Sequence, residues 1–187
     1  MAGHPPLTRP AHMPGDAAAD SDAMIRVDQA GEYGATRIYA GQLAVLGNRH
    51  PFAREIARMA EQEQRHLDVF NRLVAERRVR PTALQPIWHV AGFALGAATA
   101  LIGPRAAMAC TVAVETEIDR HYSEQRAALA GGGDPELAAH VADFQAEELE
   151  HRDTALEHEA EKAPLYPLLS FGVRAACRLA IAASKRI

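Results

Sequence analysis

The chain has 187 residues, 48% apolar and 24% charged, which is enough to bury one sizeable core and too apolar for a disordered or fibrous protein. A formal net charge of -4 gives no argument for nucleic acid as a partner. Two cysteines far apart in sequence, Cys110 and Cys177, indicate neither a disulfide framework nor a thiolate metal site, so a reducing compartment is the default.

Residues 1–20 hold Pro, His, Gly and Asp without an apolar run, so a flexible tail is expected there. It is no secretory signal, and its acids argue against a transit peptide. From Ser21 a single domain over 21–187 is expected, and helical periodicity accounts for nearly all of it. The first helix is expected over about 22–47, closed by GNRHP, and the second over about 51–78, closed by RVRPT. The third, about 85–102, is apolar for almost its whole length and contains Gly92-x-x-x-Gly96, a spacing that lets helices approach closely. The fourth, about 104–130, starts after Gly103 and ends at GGGDP. The fifth, about 135–162, stops before Pro164, and the sixth, about 167–185, ends on Lys185 and Arg186. An all-α bundle follows.

Glu-x-x-His occurs twice, as Glu63/His66 and Glu148/His151. With this many Glu and His, about 0.7 such pairs are expected by chance, so the pairs alone prove little. Their placement says more. The face around the first pair reads Ile56, Met59, Glu63, His66, Phe70, Leu73, and around the second Leu137, Val141, Phe144, Glu148, His151, Ala155. Each pair lies inside the apolar stripe, while Arg54, Arg58, Glu61, Arg65, Glu150, Arg152, Asp153 and Glu157 lie mostly off it. Two single carboxylates repeat the pattern on their own helices. Glu32 sits among Ile25, Ala35, Tyr39, Leu43 and Leu46, and Glu115 among Met108, Val112, Ile118, Tyr122 and Leu129. Tyr39 and Tyr122 each follow their Glu by seven residues.

In an antiparallel pair, residues equidistant from the turn share a height. The midpoint of Glu32 and His66 falls in GNRHP, and that of Glu115 and His151 in GGGDP. Each lone Glu therefore meets its Glu-x-x-His about 25 Å from its turn, at 1.5 Å rise per residue. The chain is an internal duplication of one hairpin. Four buried carboxylates repel one another, and each buried ion costs several kcal/mol. Two divalent cations balance them, and an oxygen-rich, thiolate-free set suits iron or manganese. This is the ligand pattern of carboxylate-bridged di-iron bundles.

IRVDQAGEYGATRIYAGQ (Ile25 to Gln42), AMACTVAVETEIDRHY (Ala107 to Tyr122) and AGFALGAATALIG (Ala91 to Gly103) resemble the demethoxyubiquinone hydroxylase family of ubiquinone biosynthesis. The resemblance implies a ferritin-like di-iron monooxygenase in which Glu32, Glu63, His66, Glu115, Glu148 and His151 hold two iron ions. It implies dioxygen as co-substrate and hydroxylation of a polyprenylated demethoxyubiquinone or demethoxyubiquinol ring. An external reductant is needed, NADH or a partner reductase, and no Gly-rich dinucleotide fingerprint is present. Gln29 stands where histidine is common in the family. Glu117 is no ligand, because two residues turn a helix by about 200° away from Glu115. No catalytic group beyond the metal ligands is expected. Tyr122 is a candidate hydrogen-bonding or electron-relay group beside them, with an ordinary interior tyrosine as the alternative. Glu147 is expected on the exposed surface, with orientation of a ligand histidine as its second role.

A polyprenyl quinone implies contact with a membrane. Segment 86–104 is either a buried connecting helix or one that dips into lipid. The final helix, with Arg174 and Arg178 on one face, either lies on an anionic bilayer or packs on the bundle. Peripheral attachment at the cytoplasmic face of a bacterial inner membrane is expected, ahead of the matrix side of a mitochondrial one. Other proteins of ubiquinone biosynthesis are candidate partners, and Gly92-x-x-x-Gly96 makes a homo-oligomer conceivable. The competing function is ferritin-like iron storage or peroxide reduction without an organic substrate.

Overall fold

Six helices occupy nearly all of residues 17–47 and 50–186, the part that the computed structural model describes. They are α1 (Ala17–Leu46), α2 (Ala53–Arg77), α3 (Gln85–Ile102), α4 (Pro104–Leu129), α5 (Pro135–Glu157) and α6 (Tyr166–Ser184). A short 3-10 turn, Ala160–Lys162, precedes α6, and no strand occurs among the described residues. Positions 48 and 49 of the first expected turn, and the expected tail up to residue 16, lie outside them.

Helix α1 begins at Ala17 and so reaches into the segment expected as tail. Alanine is the best helix former, and Asp20 in the first turn suits the positive end of the helix dipole. Helix α5 starts on a cap, where the Asp134 carboxylate accepts from Leu137 N at 3.1 Å and Pro135 follows at the first helical position. It ends at Glu157, short of the expected position 162, because Glu159 takes a left-handed backbone (φ 60°). That break turns Ala160 and Ala163 into the core, a tertiary gain that local periodicity does not reveal.

Hairpin α1/α2 is antiparallel: Gln29 meets Asn71 at 3.0 Å, and Tyr39 reaches Met59 Sδ at 3.8 Å. Hairpin α4/α5 is likewise antiparallel, with Gln145 Nε2 on Ser123 Oγ at 2.8 Å and Arg152 near Asp119. The two hairpins face each other to form the four-helix core. One apolar cluster, including Ile56, Met59, Met108, Val112 and Ala155, fills one end. A second, including Ile25, Phe70, Leu73, Leu137, Val141 and Phe144, fills the other. Burying each such side chain contributes about 1.5–3 kcal/mol, and the two clusters clamp the polar layer between them.

Helix α3 lies across α1, and small residues permit it. A Cβ on Gly96 would stand 1.9 Å from Ile38 O, and one on Gly41 would stand 2.2 Å from Phe93 O. The Gly92/Gly96 face is therefore used within the chain, which removes it as a helix-mediated dimer surface. Helix α3 is not a buried connector either: Val90, Leu101 and Ile102 are exposed. Helix α6 packs on α4, and Arg174 and Arg178 reach toward that helix. Arg174 Nε and Arg178 Nη1 donate to Glu117 Oε1 at 2.6 and 2.9 Å, and Arg120 Nε donates to Oε2 at 3.1 Å. Of the two roles left open for this pair, the structure shows bundle packing, with α6 anchored through a buried carboxylate on α4.

Candidate metal centre

Every residue of the two stripes that hold the Glu-x-x-His pairs is buried, the four polar members included. Helical spacing puts Glu63 and His66 on one face of α2 and Glu148 and His151 on one face of α5, both turned to the bundle axis. Glu32 from α1 and Glu115 from α4 complete the layer. The six side chains form two overlapping groups. One consists of Glu32, Glu63, His66 and Glu148, the other of Glu63, Glu115, Glu148 and His151, each with a ligand atom within 4.8 Å of the others. Glu63 and Glu148 belong to both. Each lone Glu stands with the histidine of its own hairpin, as the turn midpoints predict.

Both imidazoles present Nδ1 to this centre. His66 Nδ1 lies 3.1 Å from Glu148 Oε1 and 3.5 Å from Glu32 Oε2. His151 Nδ1 lies 3.0 Å from Glu148 Oε2 and 3.2 Å from Glu63 Oε1. Neither oxygen of Glu63 receives a hydrogen bond, although both are buried. An anion so placed is costly unless a proton or a metal meets it. Burial and the charge of Glu148 push Glu63 well above the usual carboxylate range, and burial with Glu148 does the same to Glu115. Burial opposes a charged His66, yet bonds to Glu148 and Glu32 outweigh it and raise the imidazole to about 11. Burial likewise acts to raise Glu148, but bonds from His151 and His66 hold it below its ordinary value. The metal-free cluster thus retains protons that divalent cations would displace. The donor set, the two overlapping groups and the buried Glu63 oxygens all fit a pair of such cations.

Around the cluster each hairpin serves the other. Tyr122 donates from α4 to Glu32 Oε1 on α1, and Tyr39 donates from α1 to Glu115 Oε1 on α4 at 3.2 Å. Of the two roles left open for Tyr122, it shows a hydrogen bond to a cluster carboxylate, and Tyr39, noticed in sequence only as its mirror, makes the matching one. Glu147 is a correction to the surface expectation, since its Oε2 lies 2.8 Å from His66 Nε2. The equivalent partner of His151 Nε2 is Gln62 Oε1 at 3.1 Å, which the sequence reading missed. Aligning the two repeats offers the signal, because Gln62 and Glu147 each precede the Glu of their motif. Gln29 is buried and bonded to Asn71, away from the ligand atoms. Glu117 is outside both groups, as face geometry requires.

A family model described as "Ubiquinone biosynthesis protein COQ7" matches residues 19–184. The chain belongs to this family. The ubiquinone biosynthesis family also supplies its relatives. A protein named 3-demethoxyubiquinol 3-hydroxylase from Rhodospirillum rubrum is 52% identical over 177 residues, covering 94% of this chain and 83% of the relative. The NADPH-dependent 3-demethoxyubiquinone 3-hydroxylase of Rattus norvegicus mitochondria is 54% identical over 168 residues, covering 88% and 77%. The mitochondrial 5-demethoxyubiquinone hydroxylase of Saccharomyces cerevisiae is 44% identical over 185 residues, covering 91% and 79%. Family membership and the all-helical bundle agree on a ferritin-like fold.

Proposed function

We propose that this protein is a di-iron monooxygenase that hydroxylates the ring of a polyprenylated demethoxyubiquinone or demethoxyubiquinol in ubiquinone biosynthesis. The observation that carries the metal half of the reading is Glu63, a buried carboxylate whose oxygens accept no well-aligned hydrogen bond, at the centre of six ligand-type groups. Glu32 and His66 would hold one iron, Glu115 and His151 the other, with Glu63 and Glu148 between them. Such a pair would supply the redox chemistry by which one atom of dioxygen enters the ring while the other leaves as water, with two electrons from an external donor and two protons. Tyr39 and Tyr122 fix the terminal carboxylates, and the two apolar clusters keep bulk water from the layer.

Substrate class is supported by a cavity of about 270 Å³ lined almost wholly by apolar groups of α1, α3, α4 and α6. Gly31 and Val114 in its wall adjoin Glu32 and Glu115 in sequence, so the cavity reaches the height of the ligand layer along α1 and α4. Trp88 Nε1 donates to Ser184 Oγ at 3.2 Å, tying α3 to α6 along it. Its volume lies just under the ~300–1,000 Å³ of ordinary ligand sites, too little for a long prenyl tail. The ring would sit inside while the tail continues into lipid.

Lipid contact is supported by α3 and α6, both long and apolar enough to cross a membrane, whose outer faces expose Val90, Leu101, Leu168, Phe171 and Leu179. We place these faces against the membrane in which the quinone dissolves, with peripheral attachment at the cytoplasmic face of a bacterial inner membrane. Electrons come from an external donor. The rat relative's name points to NADPH, with NADH and a partner reductase as alternatives. A single turnover of reduced, iron-loaded protein with a short-tailed demethoxyquinol under labelled dioxygen tests the reading. A labelled, ring-hydroxylated product is expected. Iron oxidation with no labelled product would favour storage or peroxide chemistry.

A further inference from the structure

The two hairpins place nearly identical groups around the candidate metals, with one chemical exception. Gln62 and Glu147 occupy the same repeat position, and each reaches across to the Nε2 of the other hairpin's histidine. Each is also backed by an arginine of α2. Arg58 Nη1 donates to Gln62 Oε1 at 2.9 Å, and Arg65 donates to both oxygens of Glu147 at 3.0 and 2.7 Å. Two donors converge on one atom of Gln62, which fixes that atom as the amide oxygen rather than the nitrogen. The His66 ring therefore hydrogen-bonds to a carboxylate, and the His151 ring to a neutral amide.

An imidazole that ligates through Nδ1 keeps its proton on Nε2 and donates it outward. A carboxylate acceptor draws that proton harder than an amide does, leaving Nδ1 the more electron-rich donor. We infer that the two metal positions are inequivalent, and that Glu147 makes the Glu32–His66 position bind its divalent ion more tightly than Gln62 makes the Glu115–His151 position. Gln62 and Glu147 are positioning residues, since they reach the metals only through the histidines. This inference rests on the two-metal reading above.

The test is an anaerobic ferrous-iron titration of metal-free protein, followed by Mössbauer spectra of the loaded form. Unaltered protein should fill in two steps and give two resolved quadrupole doublets. Glu147→Gln should weaken the tighter step by roughly 10–100-fold and bring the doublets together. Gln62→Glu should tighten the weaker step, and the double exchange should restore two unequal steps. Glu61→Gln, which removes an exposed charge from α2, controls for general electrostatics and should leave both steps in place. Unchanged steps and doublets in both single variants would overturn the inference while leaving the metal pair intact. Equal weakening of both steps by Glu147→Gln would also overturn it. An unaltered protein that binds no iron would sink the two-metal reading itself.

Discussion

At the scale of single residues, burial and charge separate groups that look alike in sequence. Glu148 and Glu150 are two positions apart, yet Glu148 is buried among ligand atoms whereas Glu150 makes a surface pair with Arg58 at 3.0 Å. Glu148→Ala should abolish iron binding and hydroxylation together. Glu150→Ala should cost no more than about 1 kcal/mol and leave iron content unchanged by elemental analysis. Equal losses from both would mean that the helix faces are misassigned. The metal-free protein should also respond to pH in a direction set by His66, Glu63 and Glu115. All three are raised relative to the unfolded chain, so each contributes stability at low pH and loses it as pH rises through its folded value. For His66 that window opens near its ordinary 6.5 and closes near 11. The melting temperature of metal-free protein should fall between pH 6.5 and 9, while iron affinity grows as its competing protons leave. A melting temperature that climbs over this range would contradict the proton-retaining cluster. The six candidate ligands were legible from sequence because a carboxylate inside an apolar stripe is conspicuous. Glu147 was legible only as a second role for a surface residue and Gln62 not at all, because the residue before a ligand turns about 100° off the stripe and finds its partner on a neighbouring helix.

At the scale of elements, the helices read well and their contacts read poorly. Breaks at Pro and Gly located all six, whereas the end of α5 depended on a left-handed Glu159 that no turn residue announces. Gly92-x-x-x-Gly96 was visible as a close-approach face, but the surface it meets, running past Gly34, Ile38 and Gly41 of α1, was not. Gly41→Ala and Gly96→Ala should each destabilise by about 1–3 kcal/mol in chemical denaturation, because the new methyl meets backbone oxygen rather than a movable side chain. Gly172→Ala on α6, where a Cβ meets nothing within 4 Å, should be neutral or slightly stabilising. If all three behaved alike, the α1–α3 crossing would not be as close as described.

At the scale of the whole molecule, polarity is arranged by layer: ligands at the centre, apolar clusters around them, and an apolar outer face on α3 and α6. Arg174 and Arg178 are engaged by Glu117, so on the proposed membrane reading contact with lipid would fall mainly to uncharged side chains. Flotation with vesicles should accordingly persist when salt is raised, since ion screening weakens charge attraction and not apolar burial. Val90→Asp combined with Phe171→Asp should release the protein from vesicles and leave its iron stoichiometry unaltered. Release by salt alone would indicate a charged docking surface instead.

The exchange of hydrogen bonds between hairpins has a consequence for ancestry and assembly. Tyr39, Tyr122, Gln62 and Glu147 all support a group on the opposite repeat, so one hairpin alone holds half the ligands and none of their supports. A progenitor with a single hairpin would have needed a second copy of itself to complete the layer. On that account the present chain would be such a homodimer written in tandem, with each half free after fusion to diverge at positions such as Gln62 and Glu147.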